Sequence, residues 1–222
     1  MQPVKQEIFI VGGTGYIGKR FISQLLERGH PVTALVRKGS ENKVPKGARV
    51  VIGNPFDANN FTGSIPPNAV FVQLLGVAHP SPKKAASFIS IDLASAKSSA
   101  EAAGRARISH IIYISVAMEP SSVMQAYQEV RRQGERLFRE TNIPYTYIRP
   151  WYVLGPGHYW PIILLPFYAI ATLIPSLQKK ARAFGLVTIK QVLNTLINAA
   201  EKIPQEIQIV EIAGIRKSVL QR

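Results

Sequence analysis

Gly12-Gly13-Thr14-Gly15-Tyr16-Ile17-Gly18 follows directly on the apolar run Ile8-Phe9-Ile10-Val11. The spacing Gly-x-x-Gly-x-x-Gly suits a phosphate cradle. Gly12 permits a tight turn out of a strand. Gly15, without a Cβ, lets a pyrophosphate come close to the backbone, and Gly18 lets the next helix pack against the sheet. Tyr16 and Ile17 open that helix, whose first turn offers unpaired N–H groups and partial positive charge to phosphate oxygens. Gly13 and Thr14 belong to the same turn. A second set of residues lies downstream. Ile111-Ile112-Tyr113-Ile114 reads as a strand ending at Ser115, and Tyr127 and Arg131 follow four residues apart. On a helix, positions i and i+4 share one face. The phenol and the guanidinium can therefore point together toward the end of the Ser115 strand, where positive charge would stabilise a tyrosinate.

Positioning these groups requires alternating strands and helices. The pattern predicts strands at Glu7–Val11, Val32–Val36, Ala48–Ile52, Ala69–Leu74, His110–Ser115, Tyr145–Ile148 and Ile207–Ile212. Helices are expected at Tyr16–Glu27, Phe88–Ala103, Ser122–Thr141 and Thr188–Lys202. Such alternation implies an α/β fold with a doubly wound parallel, Rossmann-like sheet. Residues 1–150 are expected to form a dinucleotide-binding core, and 151–222 a small C-terminal substrate and packing lobe of the same domain. The Ala- and Ser-rich helix over 88–103 is expected to pack closely on the sheet; a dimer face is the alternative.

Val32–Val36 ends at Arg37 and Lys38, with no carboxylate before Glu41. An acidic residue at this place binds the ribose 2′-hydroxyl of NAD, whereas a basic one accommodates the 2′-phosphate of NADP. Arg37, supported by Lys38, is the expected phosphate ligand, so NADP(H) is expected to bind in preference to NAD(H). Asn54 ends the third strand segment with a side chain able to hydrogen-bond an adenine edge. Leu75 and Gly76 follow the fourth strand, where the missing Cβ at Gly76 would let the chain pass the adenosine ribose.

Taken together, the glycine turn, Ser115, Tyr127 with its basic i+4 partner, Glu135, and Pro144-Tyr145-Thr146-Tyr147-Ile148-Arg149-Pro150 resemble the atypical short-chain dehydrogenase/reductases, including their epimerase/dehydratase-like and NmrA-like branches. The resemblance covers roughly residues 7–155. It implies a nucleotide-binding fold with Pro150 beside the cofactor, a tyrosine as general acid, a serine polarising a carbonyl, and a lysine lowering the tyrosine pKa. Here the lysine position is Arg131. Its planar fork differs in reach and donor geometry from an ammonium, and it does not relay protons near neutral pH. Two readings follow. In one the chain is an oxidoreductase in which Arg131 acts by charge alone. In the other it is a non-catalytic nucleotide-binding regulatory or assembly protein, as in the short-chain-like accessory subunit of respiratory complex I, with Tyr127 merely bonded to the nicotinamide ribose.

Composition narrows the field. The absence of cysteine excludes disulfides and thiolate chemistry. The four histidines lack metal-ligand spacing, so no metal is expected. No secretory signal precedes the first strand, so a cytoplasmic location is expected. A formal net charge of +14 attracts polyanions. The excess is even, 14 basic to 6 acidic residues over 1–118 and 13 to 7 over 119–222, and forms no basic stripe with interleaved aromatics. Nucleic acid is therefore not an expected partner. Residues 150–178 carry no formal charge and precede Lys179, Lys180 and Arg182. The run is too short and too Pro-broken to span a bilayer. It is expected to wall a pocket for a hydrophobic small molecule, using Trp151, Tyr152, His158 and Trp160; the alternative is a surface that meets anionic lipid from the inner face of a membrane.

Overall fold

A computed structural model describes residues 5–159, 162, 163, 166, 184–204 and 206–219. Its centre is a seven-stranded sheet in the order β3-β2-β1-β4-β5-β6-β9, with every neighbouring pair parallel. The strands are β1 Ile8–Val11, β2 Val32–Val36, β3 Arg49–Ile52, β4 Val70–Gln73, β5 His110–Ile114, β6 Tyr145–Ile148 and β9 Gln208–Val210. A parallel pair, β7 Val153–Leu154 and β8 Val187–Thr188, stands apart. Strands β1, β2, β4, β5 and β6 are buried along their whole length. That explains their continuous apolar runs, since a parallel sheet is covered on both faces.

Side chains alternate across the sheet with a period of two. Ile8 and Ile10 face one layer, where α1 Tyr16–Glu27 and α4 Ile189–Glu201 pack. Phe9 and Val11 face the other. There Phe9 stacks on Phe61 and Phe71 at ring separations of 6.1 and 5.6 Å. On that second face also lie α2 Ala94–Arg105 and α3 Gln125–Arg139. The small residues of α2, Ser95, Ala96, Ser99, Ala102 and Ala103 among them, are buried, as close helix–sheet packing requires.

Two departures from expectation have local causes. The expected strand Ile207–Ile212 is shortened to Gln208–Val210, because Ile212 opens a short helix, α5 Ile212–Lys217. The apolar period changes from two at Ile207 and Ile209 to three at Ile212 and Ile215, both buried. The helix before α2 is wound as a π-helix over Phe88–Leu93. This winding turns Phe88 and Asp92 inward together. Trp160, Lys179, Lys180 and Arg182 lie outside the described residues; among those described, no helix is long and apolar enough to cross a membrane.

The ends of α1 and α4 are tied by charge. Arg28 Nε and Nη2 donate to the two carboxylate oxygens of Glu201 at 2.6 and 2.8 Å, and Nε2 of the buried His30 sits 3.2 Å from Oε1. The hydrogen bond from Arg28 holds the Glu201 carboxyl below the usual carboxylate range, against burial. A depressed carboxylate stabilises the fold above its unfolded value and ceases to do so as pH falls through the folded one. Glu201→Gln is therefore expected to cost about 1–2 kcal/mol in urea unfolding at pH 7. The deficit should shrink as pH falls below about 4; a deficit that persists unchanged at pH 3 would rule out the charge as its source.

Candidate nucleotide-binding site

Chain order puts β1 and β4 side by side, while β2 and β3 continue to one edge and β5 and β6 to the other. At such a switch point the loops leaving the strand ends diverge and open a crevice. The glycine turn fills one side of it. Gly12 adopts φ +90°, and a Cβ there would lie 2.5 Å from the Leu75 nitrogen, so the loop after β4 rests directly on the turn. The Gly15 N–H returns to the Gly12 carbonyl at 3.1 Å. A Cβ at Gly18 would overlap the same carbonyl, which accounts for the closeness of helix to turn. Gly13 packs inward against Ile22 and Ala34. The N-cap of α1 is Gly15, with no side-chain cap and no acidic residue in the first turn. Its leading N–H groups are thus left for an anion from elsewhere, as a phosphate cradle requires.

A cavity of about 550 Å³ opens above this turn. Gly12, Gly15, Tyr16, Ile17 and Gly18 form its floor, and Gly76 borders it from the loop after β4. Ser115 and Tyr127, with Arg131 behind, form a second wall. Pro150, Trp151, Tyr152 and His158 form a third. Residues 139 positions apart in the chain, Gly12 and Trp151, thus face one space. Ser115 is 2% exposed and its Oγ has no hydrogen-bond partner among the described residues. A buried hydroxyl without a partner is costly unless a ligand satisfies it. The residues present therefore fit a nicotinamide dinucleotide: an uncapped helix start for the diphosphate and an unused hydroxyl farther along.

Arg131 is bound more tightly than its position in the sequence suggests. Its Nη2 lies 2.6 Å from Asp92 Oδ1, with both side chains at most 5% exposed. Asp92 Oδ2 also accepts the Val77 N–H at 2.9 Å. Arg131 Nη1 donates to the Ile114 carbonyl at 3.0 Å and to the Tyr113 hydroxyl at 3.3 Å. The guanidinium carbon stands 5.2 Å from the Tyr127 ring centre, and Phe88 closes on that ring at 4.8 Å. Burial by itself disfavours the Arg131 charge, but Tyr127, Tyr113 and Asp92 outweigh it and raise its pKa. Burial also pushes the Asp92 carboxyl up, against the pull of Arg131; at 2.6 Å from a guanidinium the pair is ionic. Gly76 makes room for the guanidinium, because a Cβ there would overlap Arg131 Nη2. Asp92 was absent from the residues singled out by sequence. Its signal was there: it is the one acidic residue between Asp57 and Glu101, set in an apolar helix.

Some expected cofactor residues lie off the cavity wall. Arg37 and Lys38 are exposed just past β2. Asn54 is exposed, and its Oδ1 accepts the Phe56 N–H at 3.0 Å, leaving the amide nitrogen as the donor. Thr14 is half-buried beside the turn, and Leu75 packs against the Phe9 layer. Trp151 leans on Phe184 at 4.5 Å and on Tyr152 at 5.8 Å. His158 meets a second histidine, His79, from the loop after β4.

A family model described as NAD(P)H-binding matches residues 12–156, well over half of the chain. The chain belongs to this NAD(P)H-binding family. Solved structures of the same fold include MoeE5 in complex with UDP-glucose and NAD, at 15% identity over 94% of this chain and 79% of that one, with a TM-score of 0.67. Another is WbmG of Bordetella bronchiseptica in complex with NAD and UDP, at 18% identity over 94% and 73%, TM-score 0.67. Local sequence similarity reaches eugenol synthase 2 of Clarkia breweri, 46% identical over 46 residues, 21% of this chain and 15% of that protein. It also reaches the phenylcoumaran benzylic ether reductase TP7 of Nicotiana tabacum, 30% identical over 83 residues, 33% of this chain and 27% of that protein. The matched stretches are thus about a quarter or less of these relatives' length. The expected Rossmann-like fold and the resemblance to epimerase/dehydratase-type nucleotide-binding proteins agree with these findings.

Removing one partner of a buried ion pair strands the other. Asp92→Ala is expected to lower unfolding free energy by about 3–5 kcal/mol in urea titration. Gly76→Ala should also destabilise, by displacing the guanidinium; wild-type stability in both variants would show that the pair does not hold this wall together.

Proposed function

We propose that this member of the NAD(P)H-binding family is an NADP(H)-dependent oxidoreductase of a hydrophobic carbonyl compound. The observation that carries the reading is the unpartnered Ser115 hydroxyl beside Tyr127 on the wall of the cavity floored by the glycine turn. Reduced nicotinamide would supply the hydride. The chain supplies the rest. The Ser115 hydroxyl donates a hydrogen bond to the substrate carbonyl oxygen, and the Tyr127 hydroxyl hands its proton to that oxygen as charge develops there. Arg131 and Phe88 hold the Tyr127 ring between them. Trp151 and Tyr152 give the third wall an apolar face suited to a hydrophobic substrate. The names of relatives support a reductase, though at an ether and a vinyl group and not at a carbonyl, one being a benzylic ether reductase and another a divinyl chlorophyllide a 8-vinyl-reductase of Oryza sativa subsp. indica, 32% identical over 78 residues, 31% of this chain and 19% of that protein. Arg37 and Lys38 at the end of β2 support NADP(H) over NAD(H).

A second reading, a nucleotide-binding protein without catalysis, draws on one observation: Arg131 is committed to Asp92 and, always charged, relays no proton. Two measurements separate these ideas. NADPH should bind tighter than NADH in calorimetry, with Arg37→Ala narrowing the gap; equal dissociation constants in the wild type would refute the NADP preference. NADPH oxidation should be found on a panel of ketones, aldehydes and quinones, and Tyr127→Phe should abolish it while leaving NADPH affinity within a few-fold. Turnover unchanged in that variant removes Tyr127 from the chemistry, and none with any substrate favours the second reading.

A further inference from the structure

Two loops far apart in sequence meet above the cavity. One follows β4 and carries His79; the other follows β7 and carries His158. Their rings stack at 4.6 Å between centres, with His158 Nε2 3.0 Å from His79 Nδ1. Each histidine is held from behind. His79 takes a left-handed backbone, φ 51°, which a non-glycine residue adopts at a cost. The Lys84 ammonium grips the carbonyls of Ala78 and His79 at 2.6 and 3.0 Å and pins that turn. The His158 N–H is fixed on the Gly155 carbonyl at 2.8 Å. Beneath the pair, the His158 ring lies 5.4 Å from that of Tyr16, the first residue of α1. The contact therefore bridges over the helix start that faces the cavity.

We propose that His79 and His158 form a proton-sensitive clasp over the nucleotide cavity, closed while one ring is neutral and released when both are charged. The proposal rests on the nucleotide reading of that cavity. A hydrogen bond between imidazoles needs one ring nitrogen with a free lone pair, whereas two imidazolium rings present only donors and repel. The surroundings do not offset a second charge. Among the described residues, the titratable and charged groups that meet the pair are Tyr16 and Lys84, with the Arg20 guanidinium on the Tyr16 ring, 4.2 Å from its centre. Among the described residues no carboxylate contacts either ring. Burial, and then the charge of His79, lower the His158 pKa from its ordinary value. His158 is thus charged only on the acid side of the ordinary histidine range, so the clasp is intact near neutral pH and opens as pH falls. A dinucleotide laid along the strand ends must pass beneath it.

Stopped-flow NADPH association between pH 8 and pH 5.5 tests this. The wild-type association rate constant is expected to rise about tenfold as the pH falls, since binding is slowed where a conformational opening must precede it. His79→Ala removes both the hydrogen bond and the charge, so it should associate fast at every pH, and His158→Ala should behave likewise. Slow association of His79→Ala throughout would mean that imidazolium charge merely attracts phosphate, and it overturns the clasp; so does a wild-type rate independent of pH. A wild type that takes up no NADPH fails the cofactor reading itself. The clasp is then read without ligand, by acrylamide quenching of tryptophan fluorescence. Stronger quenching at pH 5.5, and in His79→Ala at pH 8, supports it, and equal quenching overturns it.

Discussion

A guanidinium sealed from water needs a carboxylate and hydrogen bonds around it, or the fold cannot hold it. Around Arg131 that requirement organises three separate pieces of chain. Asp92 comes from the π-helical turn, the Ile114 carbonyl from the end of a central strand, and the open space from Gly76. Asp92 in turn takes the Val77 N–H, so the loop after β4 is anchored to the same centre. That loop rests on the glycine turn and carries one of the two histidines above the cavity. Arg131 is thus the hub of the wall that presents Ser115 and Tyr127. The net charge of the hub is close to zero, and this sets it apart from a free ammonium at the same place.

The sheet supplies the geometry that the hub exploits. Parallel strands point their C-terminal ends one way, so the turn after β1, the loop after β4, Ser115 after β5 and Pro150 after β6 all surface on one rim. Interior strands buried on both faces make that rim rigid, while the edges β3 and β9 stay exposed. On α3, Arg132 and Arg136 pair with Glu129. The overall field still favours approach of a polyanionic ligand.

Features set by neighbouring residues were readable in the sequence. The glycine turn, β2, β6 and α1 fall where the pattern places them, because each follows from local spacing and turn chemistry. The i, i+4 pair Tyr127 and Arg131 does share a face, as helical geometry demands. What could not be read are contacts made by topology. Nothing in residues 85–105 announces that Asp92 will meet Arg131, 39 positions on, and no spacing rule joins His79 to His158. The end of the last strand is not legible at Ile212, because a change of apolar period over three residues is too brief to separate strand from helix.

The tie between Arg28 and Glu201 spans 173 positions, and the pairing of β6 with β9 joins residues about 60 apart. Loops of this size are costly to close before other contacts reward them. A ribosome reading this message makes the first helix early and its ionic anchor late. The side of α1 turned to α4 stays uncovered until residues 189–201 emerge from the exit tunnel and shield it. Between synthesis of α1 and of residues 189–201 the side of the helix that α4 covers stays open, a window in which chaperone capture competes with completion of the layer.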